Sequence, residues 1–402
     1  MTQLLKKFGP GFLFAGAAIG VSHLVQSTRA GADFGLGLLW ALLLINIIKY
    51  PFFQFGPRYA SATGENLLQG YAKMSKWVLV AYFIITFATM FTIQTAVTIV
   101  TAGIASSLFE SGTLVLWTTL VTSSCFFILL LGKYKVLDSL MKYIVIVLTL
   151  STVAAVVIAF SSFEVTLSVQ QILPEDSLGV AFLIAFMGWM PAPLDITIWQ
   201  SIWTVEKQKL NPDIKFKDSL FDFNVGFIAT IFLGICFVAL GAVVMYGSGE
   251  SFSSNGTQFA NQLIGMYTAS LGDWAKLIIG IAALATMLST TLTTLDASPR
   301  VMHISSELLF KKTFTHGYLA WLLVLITGTL AIFFFFVSEM GLLIEIATVL
   351  SFLTAPFYAI ISYLLLTGRH APEAARPSTF LKGYSILGII MLIGFSVWYL
   401  IS

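Results

Sequence analysis

Residues 17–35 read AAIGVSHLVQSTRAGADFG. The stretch sits inside an apolar segment, yet Gly20-Val21-Ser22-His23 interrupts it and Arg29 follows six residues after the histidine. Non-helical backbone at membrane depth is tolerated only where it is buried in protein or lines a wet cavity. The stretch therefore predicts the unwound centre of a membrane helix. A second interruption lies at 181–201, AFLIAFMGWMPAPLDITIWQS, where Gly188, Pro191 and Pro193 fall close together. Two prolines two apart remove two amide donors and clash with the preceding turn, so a continuous helix is not expected there either.

The rest of the chain supplies the membrane context. Of 402 residues 58% are hydrophobic and 10% charged, with a mean hydropathy of +0.92. Soluble domains carry about 25% charged residues, so this composition belongs in a bilayer. A net charge of +2 leaves no footprint for nucleic acid. Cys125 and Cys236 both fall in apolar spans, so no disulfide framework is indicated. Lys6 and Lys7 precede apolar residues, but no cleavage site of a secretory signal follows.

A membrane helix needs about 20 apolar residues. Eleven candidate spans meet that need: 9–30, 36–62, 77–104, 113–132, 135–160, 179–203, 220–246, 274–297, 316–338, 340–366 and 382–401. The runs are long and do not alternate, which favours helices over a barrel. Short loops join them, so a single membrane domain is expected. Basic residues gather in alternate loops, from Arg58, Lys73 and Lys76 to Lys133, Lys135 and Lys142, then Lys207 to Lys217, Arg300 to Lys312, and Arg369 to Lys382. The opposite loops, 161–178 and 247–273, hold Glu164, Glu175, Asp176, Glu250 and Asp273 and no lysine or arginine. The positive-inside rule then places the N-terminus in the cytoplasm and the C-terminus outside a plasma (inner) membrane. The run EKQKLNPDIKFKD at 206–218 is read as a solvated loop, and the Asn255-Gly256-Thr257 sequon as chance.

The breaks near residues 21 and 191 open the first helix of each putative five-helix half, 9–160 and 179–366, with 382–401 left over. Interrupted helices at matching positions point to an inverted-repeat transporter with its site at the midplane. Kinked packing helices are the plainer alternative. Ionisable residues inside a membrane are costly and mark function; His23 lies at the first break and Asp195 just past the second. Lys49 is a candidate counter-ion to Asp195 or Glu345, or a snorkelling side chain. Arg29 and Asp33 suggest a rim salt bridge. In ALATMLSTTLTTLD (283–296), Thr286, Ser289, Thr290 and Thr293 share a helix face, which suits either helix packing or a bound cation. No phosphate loop, paired metal-binding cysteines or His-Glu-x-x-His pattern is present, so neither an enzyme nor a cofactor is expected.

Further motifs carry a resemblance. Phe8-Gly9-Pro10-Gly11-Phe12, then Gln26-x-x-x-Ala30-Gly31-Ala32-x-Phe34-Gly35, resemble the first helix of the Nramp family of divalent-metal transporters. Ala62-Thr63-Gly64-x-Asn66-Leu67 and Leu353-x-x-Pro356-Phe357 resemble the family too. The resemblance implies an all-α fold like that of the amino-acid transporter LeuT, with two inverted five-helix repeats, broken helices 1 and 6, one extra helix and alternating access. It also implies a site. Where the family's metal-binding Asp-Pro-Gly-Asn is expected, this chain has Gly20, Val21, Ser22 and His23; where the family reads Met-Pro-His, it has Met190, Pro191 and Ala192. An alternative register matches Gln200-Ser201 and brings Asp195 nearer the histidine position. The family's proton-route acids in helix 3 fall on Ala96 and Ile99.

His23, Asp195 and Met190 are thus the candidate metal ligands, imidazole and carboxylate suiting transition ions and the thioether softer ones. The expected activity is secondary transport of a divalent cation. An amino acid or amine transporter on the same fold, with Na⁺ on the span 8 hydroxyls, is the alternative, and a receptor or scaffold the third. Beyond the lipid bilayer and a small ion or solute, no partner is implied; whether H⁺ or Na⁺ drives transport stays open.

Overall fold

The computed structural model describes residues 9–131, 134–162, 168, 170–249, 251–336 and 340–401. Lys6, Lys7, Phe8, Lys133, Glu164 and Glu250 lie outside the described residues, as do the side chains of Lys135 and Lys142. Among the described residues the regular structure is helical throughout.

The first span is built in three pieces. Helix α1 (Pro10–Ala18) ends at Ile19, a π-helical turn covers Ser22–Ser27, and α2 (Thr28–Phe34) completes the crossing. Pro10 opens α1 at a position where its missing amide costs nothing. The sixth span is likewise divided, into α8 (Ser177–Trp189) and α9 (Ile196–Leu210), with an extended crossover between them that begins at Met190. Both interruptions stand where the glycines and prolines predict them.

Continuous helices surround these two. They are α3 (Leu39–Thr63), α5 (Lys76–Phe109), α6 (Leu114–Leu130), α7 (Tyr134–Ser162), α10 (Phe216–Val244), α12 (Ala275–Phe310), α13 (Gly317–Phe336), α14 (Met340–Thr367) and α15 (Thr379–Ile401). With the two divided spans they make the eleven expected crossings; seven are by themselves long and apolar enough to span a membrane. Two shorter helices, α4 (Leu67–Met74) and α11 (Gly256–Leu271), lie in connections. Their starts are capped. Asn66 and Gln69 form a reciprocal capping box, and Asn255 accepts the amides of Thr257 and Gln258. The Asn255 sequon thus has a structural use.

One expected boundary moves. The eighth span, read as 274–297, continues as α12 to Phe310 with Pro299 inside it. Asp296 and Arg300 straddle that proline and pair at 2.9 Å, and the Tyr318 hydroxyl donates to Asp296 at 2.7 Å. Side chains thus clasp the helix across the position where a backbone bond is lost.

The divided spans are held against α10. Gly11 of α1 and Gly226 of α10 meet so closely that a Cβ on either would run into the other helix's backbone. Small residues allow such approach, and in a bilayer close packing is a main source of helix association. Phe14 packs edge-on to Phe53 at 5.3 Å and Phe223 at 5.9 Å, tying α1 to α3 and α10. Cys125 and Cys236 are free thiols.

Candidate functional site

The two breaks face one cavity. Its lining includes Ala17, Ala18, Val21 and Ser22 from the first break, Trp189, Ala192, Pro193, Ile196 and Trp199 from the second, Ile93 and Val97 from α5, and Thr290 and Thr294 from α12. The cavity measures about 20 Å³, room for about one water. Ser22 reaches across it, its Oγ lying 3.3 Å from the carbonyl of Pro191. Gly20 backs onto Thr290, whose methyl and hydroxyl would lie 2.9 Å from a Cβ at position 20. A larger residue there would require Thr290 or the first break to shift.

Ser22 opens the π-helical turn, and its hydroxyl is held by the carbonyl of Ala18 at 2.6 Å. Side-chain hydroxyls follow the turn's wide winding, Ser27 donating to the carbonyl of Ser22 at 3.1 Å and Thr28 to that of His23 at 3.4 Å, each five residues back. Such turns are frequent at functional sites.

His23 turns away from the cavity. It is fully buried, with Nε2 at 2.9 Å from the carbonyl of Thr230 and Nδ1 at 2.7 Å from Ser22 Oγ and 3.1 Å from the carbonyl of Ala18. A carbonyl can only accept, so a hydrogen on Nε2 serves Thr230, while Nδ1 sits beside both the Ala18 carbonyl and the Ser22 hydroxyl, which itself donates to Ala18 at 2.6 Å. Neither nitrogen is then free to bind a metal. Phe237 lies against the ring at 6.5 Å. Met190 is also buried elsewhere, its sulfur beside Gly234 of α10. Asp195 stands immediately before α9 without a side-chain capping bond and is 5% exposed, with Oδ1 lacking a hydrogen-bond partner. None of the three candidate metal ligands lines the cavity, and among the described residues no cluster of three His, Cys, Asp or Glu could hold an ion.

Lys49 corrects its expected role. It does not snorkel, being wholly buried, and Glu345 is exposed on α14 and supplies it no charge. Its ammonium instead donates to the carbonyls of Met187 (2.8 Å), Gly188 (2.6 Å), Met190 (3.2 Å) and Ala192 (3.3 Å). These are the last carbonyls of α8 and the crossover, left without helical partners by the break. Asp195 is within electrostatic reach of the ammonium but forms no ion pair with it.

The remaining candidates separate. Arg29 lies over the ring of Phe182 at 5.2 Å, and Asp33 interacts with it only electrostatically, so a cation–π contact replaces the expected rim salt bridge. Phe34 and Phe182 stack at 5.5 Å and fill that mouth with rings. Gln200 is fully buried on α9, with both amide atoms unpartnered. Of Thr286, Ser289, Thr290 and Thr293, all buried, Thr290 alone lines the cavity.

The α5–α12 contact uses neighbouring hydroxyls, those of Thr291 and Thr294, rather than the four predicted ones. Thr101 and Thr291 meet at 2.7 Å, and Thr294 donates to Gln94 Oε1 at 2.7 Å. Gln94 Nε2 in turn donates to Thr98 at 3.2 Å and to the carbonyl of Thr291 at 3.3 Å. Thr294 and the two tryptophans were not singled out from the sequence. Trp189 is fixed by its indole, which donates to Ser351 of α14 at 2.7 Å. Ala96 and Ile99, on the helix 3 positions of the proton-route acids, are buried and apolar.

A family model described as natural resistance-associated macrophage protein-like matches residues 11–402. An uncharacterized protein of Pasteurella multocida (strain Pm70), PM0681, is 36% identical over 407 residues, covering 98% of this chain and 91% of its own. Among solved structures, a manganese transporter of Eremococcus coleocola in complex with an aromatic bis-isothiourea compound superimposes with a TM-score of 0.74. It is 14% identical, and the match covers 98% of this chain and 86% of that one. The transporter MhsT, in complex with L-phenylalanine, gives a TM-score of 0.64 at 14% identity over 96% of this chain and 98% of that one. The fold is therefore the LeuT-like one, with inverted five-helix repeats and broken helices 1 and 6.

Proposed function

Because the chain belongs to the natural resistance-associated macrophage protein-like (Nramp) family of membrane transporters, we propose that it is a secondary transporter working by alternating access through the cavity between its two helix breaks. The observation that carries this reading is that both interruptions open onto that one cavity, with Ser22 and Pro191 in contact across it. Broken helices in this arrangement are the usual substrate site of inverted-repeat transporters.

For the cargo, the family and the manganese transporter of like fold support a divalent cation. The cavity offers it hydroxyls from Ser22, Thr290 and Thr294 and no carboxylate. Oxygen ligands favour hard ions, and Mg²⁺ in particular keeps much of its water. The cargo on this reading is a hard divalent cation, Mn²⁺ or Mg²⁺, carried partly hydrated. The membrane is the plasma (inner) membrane with the N-terminus cytoplasmic. Gly9, Lys207, Glu206 and Arg300 gather at one end of the molecule, which fits that orientation.

One observation favours the second reading, a small organic solute such as an amino acid or amine. The carbonyls freed by the breaks are occupied internally, Ala18 by Ser22 and His23, and the α8 end by Lys49, while Trp189 and Trp199 wall the cavity. Calorimetry decides between them. Heat with Mn²⁺ or Mg²⁺ that disappears in Ser22→Ala/Thr290→Val supports the metal. No heat with any divalent ion, together with thermal stabilisation by an amino acid, supports the organic solute. Absence of uptake into proteoliposomes for every solute screened removes both.

A further inference from the structure

We propose that Lys49 is a specificity-determining residue: its ammonium is a tethered cation that fills the carbonyl cage at the break of the sixth span and withholds those oxygens from any cargo ion. The proposal rests on the reading that the cavity at the breaks is the transport site.

The cage is a cation site by its chemistry. Four backbone oxygens, from Met187, Gly188, Met190 and Ala192, converge on one point with 2.6 to 3.3 Å to the nitrogen. They stand at the C-terminal end of α8, the negative end of its dipole. Converging carbonyl oxygens of this kind are what Na⁺, Ca²⁺ or a partly dehydrated Mn²⁺ takes as ligands. Lysine has three donors and no acceptor, so it serves the two near carbonyls directly, shares its remaining hydrogen between the two longer contacts, and needs nothing in return. Neutral side chains of similar length cannot do this. An ammonium buried without such partners would be strongly disfavoured, because it gives up its water with nothing in exchange. Lysine and cage therefore explain one another.

Two of the four carbonyls belong to the crossover beside the cavity, whose wall includes Ala192 itself. Lys49 comes from α3, a helix that contributes no residue to the cavity lining. An ion in the cavity meets hydroxyls and aromatic walls on one side. On the other it meets carbonyls already turned to a positive charge. The fixed charge repels a dehydrated dication, and its removal opens the cage.

The test compares the purified full chain with Lys49→Met, which keeps the side chain's bulk, and Lys49→Gln, which keeps two donors. All three are extracted in millimolar MnCl₂ or NaCl. Titration with Mn²⁺ and with Na⁺ by calorimetry and thermal shift is the readout. The proposal expects both variants to gain affinity for at least one of these ions by about tenfold or more, a difference of about 1.4 kcal/mol. It also expects that ion to restore melting temperature lost by substitution. Equal affinity in wild type and folded variants overturns it. So does a variant that aggregates whichever ion is present, because a free cation should replace the tethered one. Binding is read without uptake, so the two readings fail separately. Gain of ion binding with no transported solute defeats the transport site alone; unchanged ion binding with uptake sensitive to Ser22→Ala defeats the role of Lys49 alone.

Discussion

Asp222 of α10 caps α1 from outside the helix: its Oδ2 accepts the amide of Gly11 at 2.7 Å and its Oδ1 the amide of Gly9 at 3.2 Å. The carboxylate is 1% exposed, so these bonds form in a site shielded from water. Hydrogen bonds to charged groups are worth about 1.5–3 kcal/mol, and α1 has no side-chain cap of its own. Asp222→Ala should lower stability by about that amount and free α1 at the end where Lys207 lies. Cysteine labelling at Ala17 from that side should speed up. Labelling no faster than in the parent would show that α1 is held by packing alone.

Where α1 and α10 cross, Gly11 and Gly226 leave no room for a Cβ. Overpacking of this kind costs about 1–3 kcal/mol. Gly226→Ala is expected to lower the melting temperature in detergent. Gly16→Ala, where open space surrounds the position, should not. Equal effects would mean that the helices adjust at no cost.

His23 is expected to behave as a structural residue. Both ring nitrogens are engaged by the protein, so His23→Ala should reduce stability by about 1–3 kcal/mol through the stranded Thr230 carbonyl. Affinity for Mn²⁺ per folded molecule should stay unchanged. Loss of that affinity in folded protein would restore the imidazole as a ligand.

Thr294 links the cavity wall to Gln94. Thr294→Val preserves shape and removes the donor. Interhelical bonds of this type in membrane proteins average about 0.6 kcal/mol, so the stability change should be small. A change in uptake rate larger than that figure allows would place Thr294 at the cargo.

Asn255 caps α11 through two amides. Asn255→Ala should cost about 0.5–2 kcal/mol. Hydrogen exchange should show the loss in the first turn of α11, with α12 unchanged.

Glycine and proline made both breaks legible in the sequence, because their effect on backbone is local and needs no partner. The orientation of side chains at a break was not legible. Helical periodicity assigns faces only while a helix continues, and the π-helical turn at Ser22–Ser27 shifts the phase where it would be used. His23 thus lies in the expected place and points elsewhere. Lys49 eluded sequence reading for another reason. Its partners are main-chain carbonyls exposed by a break in a distant segment, and backbone oxygens leave no mark in residue type. Trp189 and Trp199 carry no signal in the sequence, since nothing in their neighbours distinguishes a cavity wall from a core.

The threonines between α5 and α12 have a mechanical consequence. Thr98, Thr101, Thr291 and Thr294 each lie within hydrogen-bonding distance of a carbonyl one turn back in their own helix. A hydroxyl so placed can release its neighbour and fall back on its own backbone without being stranded in hydrocarbon. A seam built this way resists a shift of α5 against α12 less than one whose polar groups have no second partner.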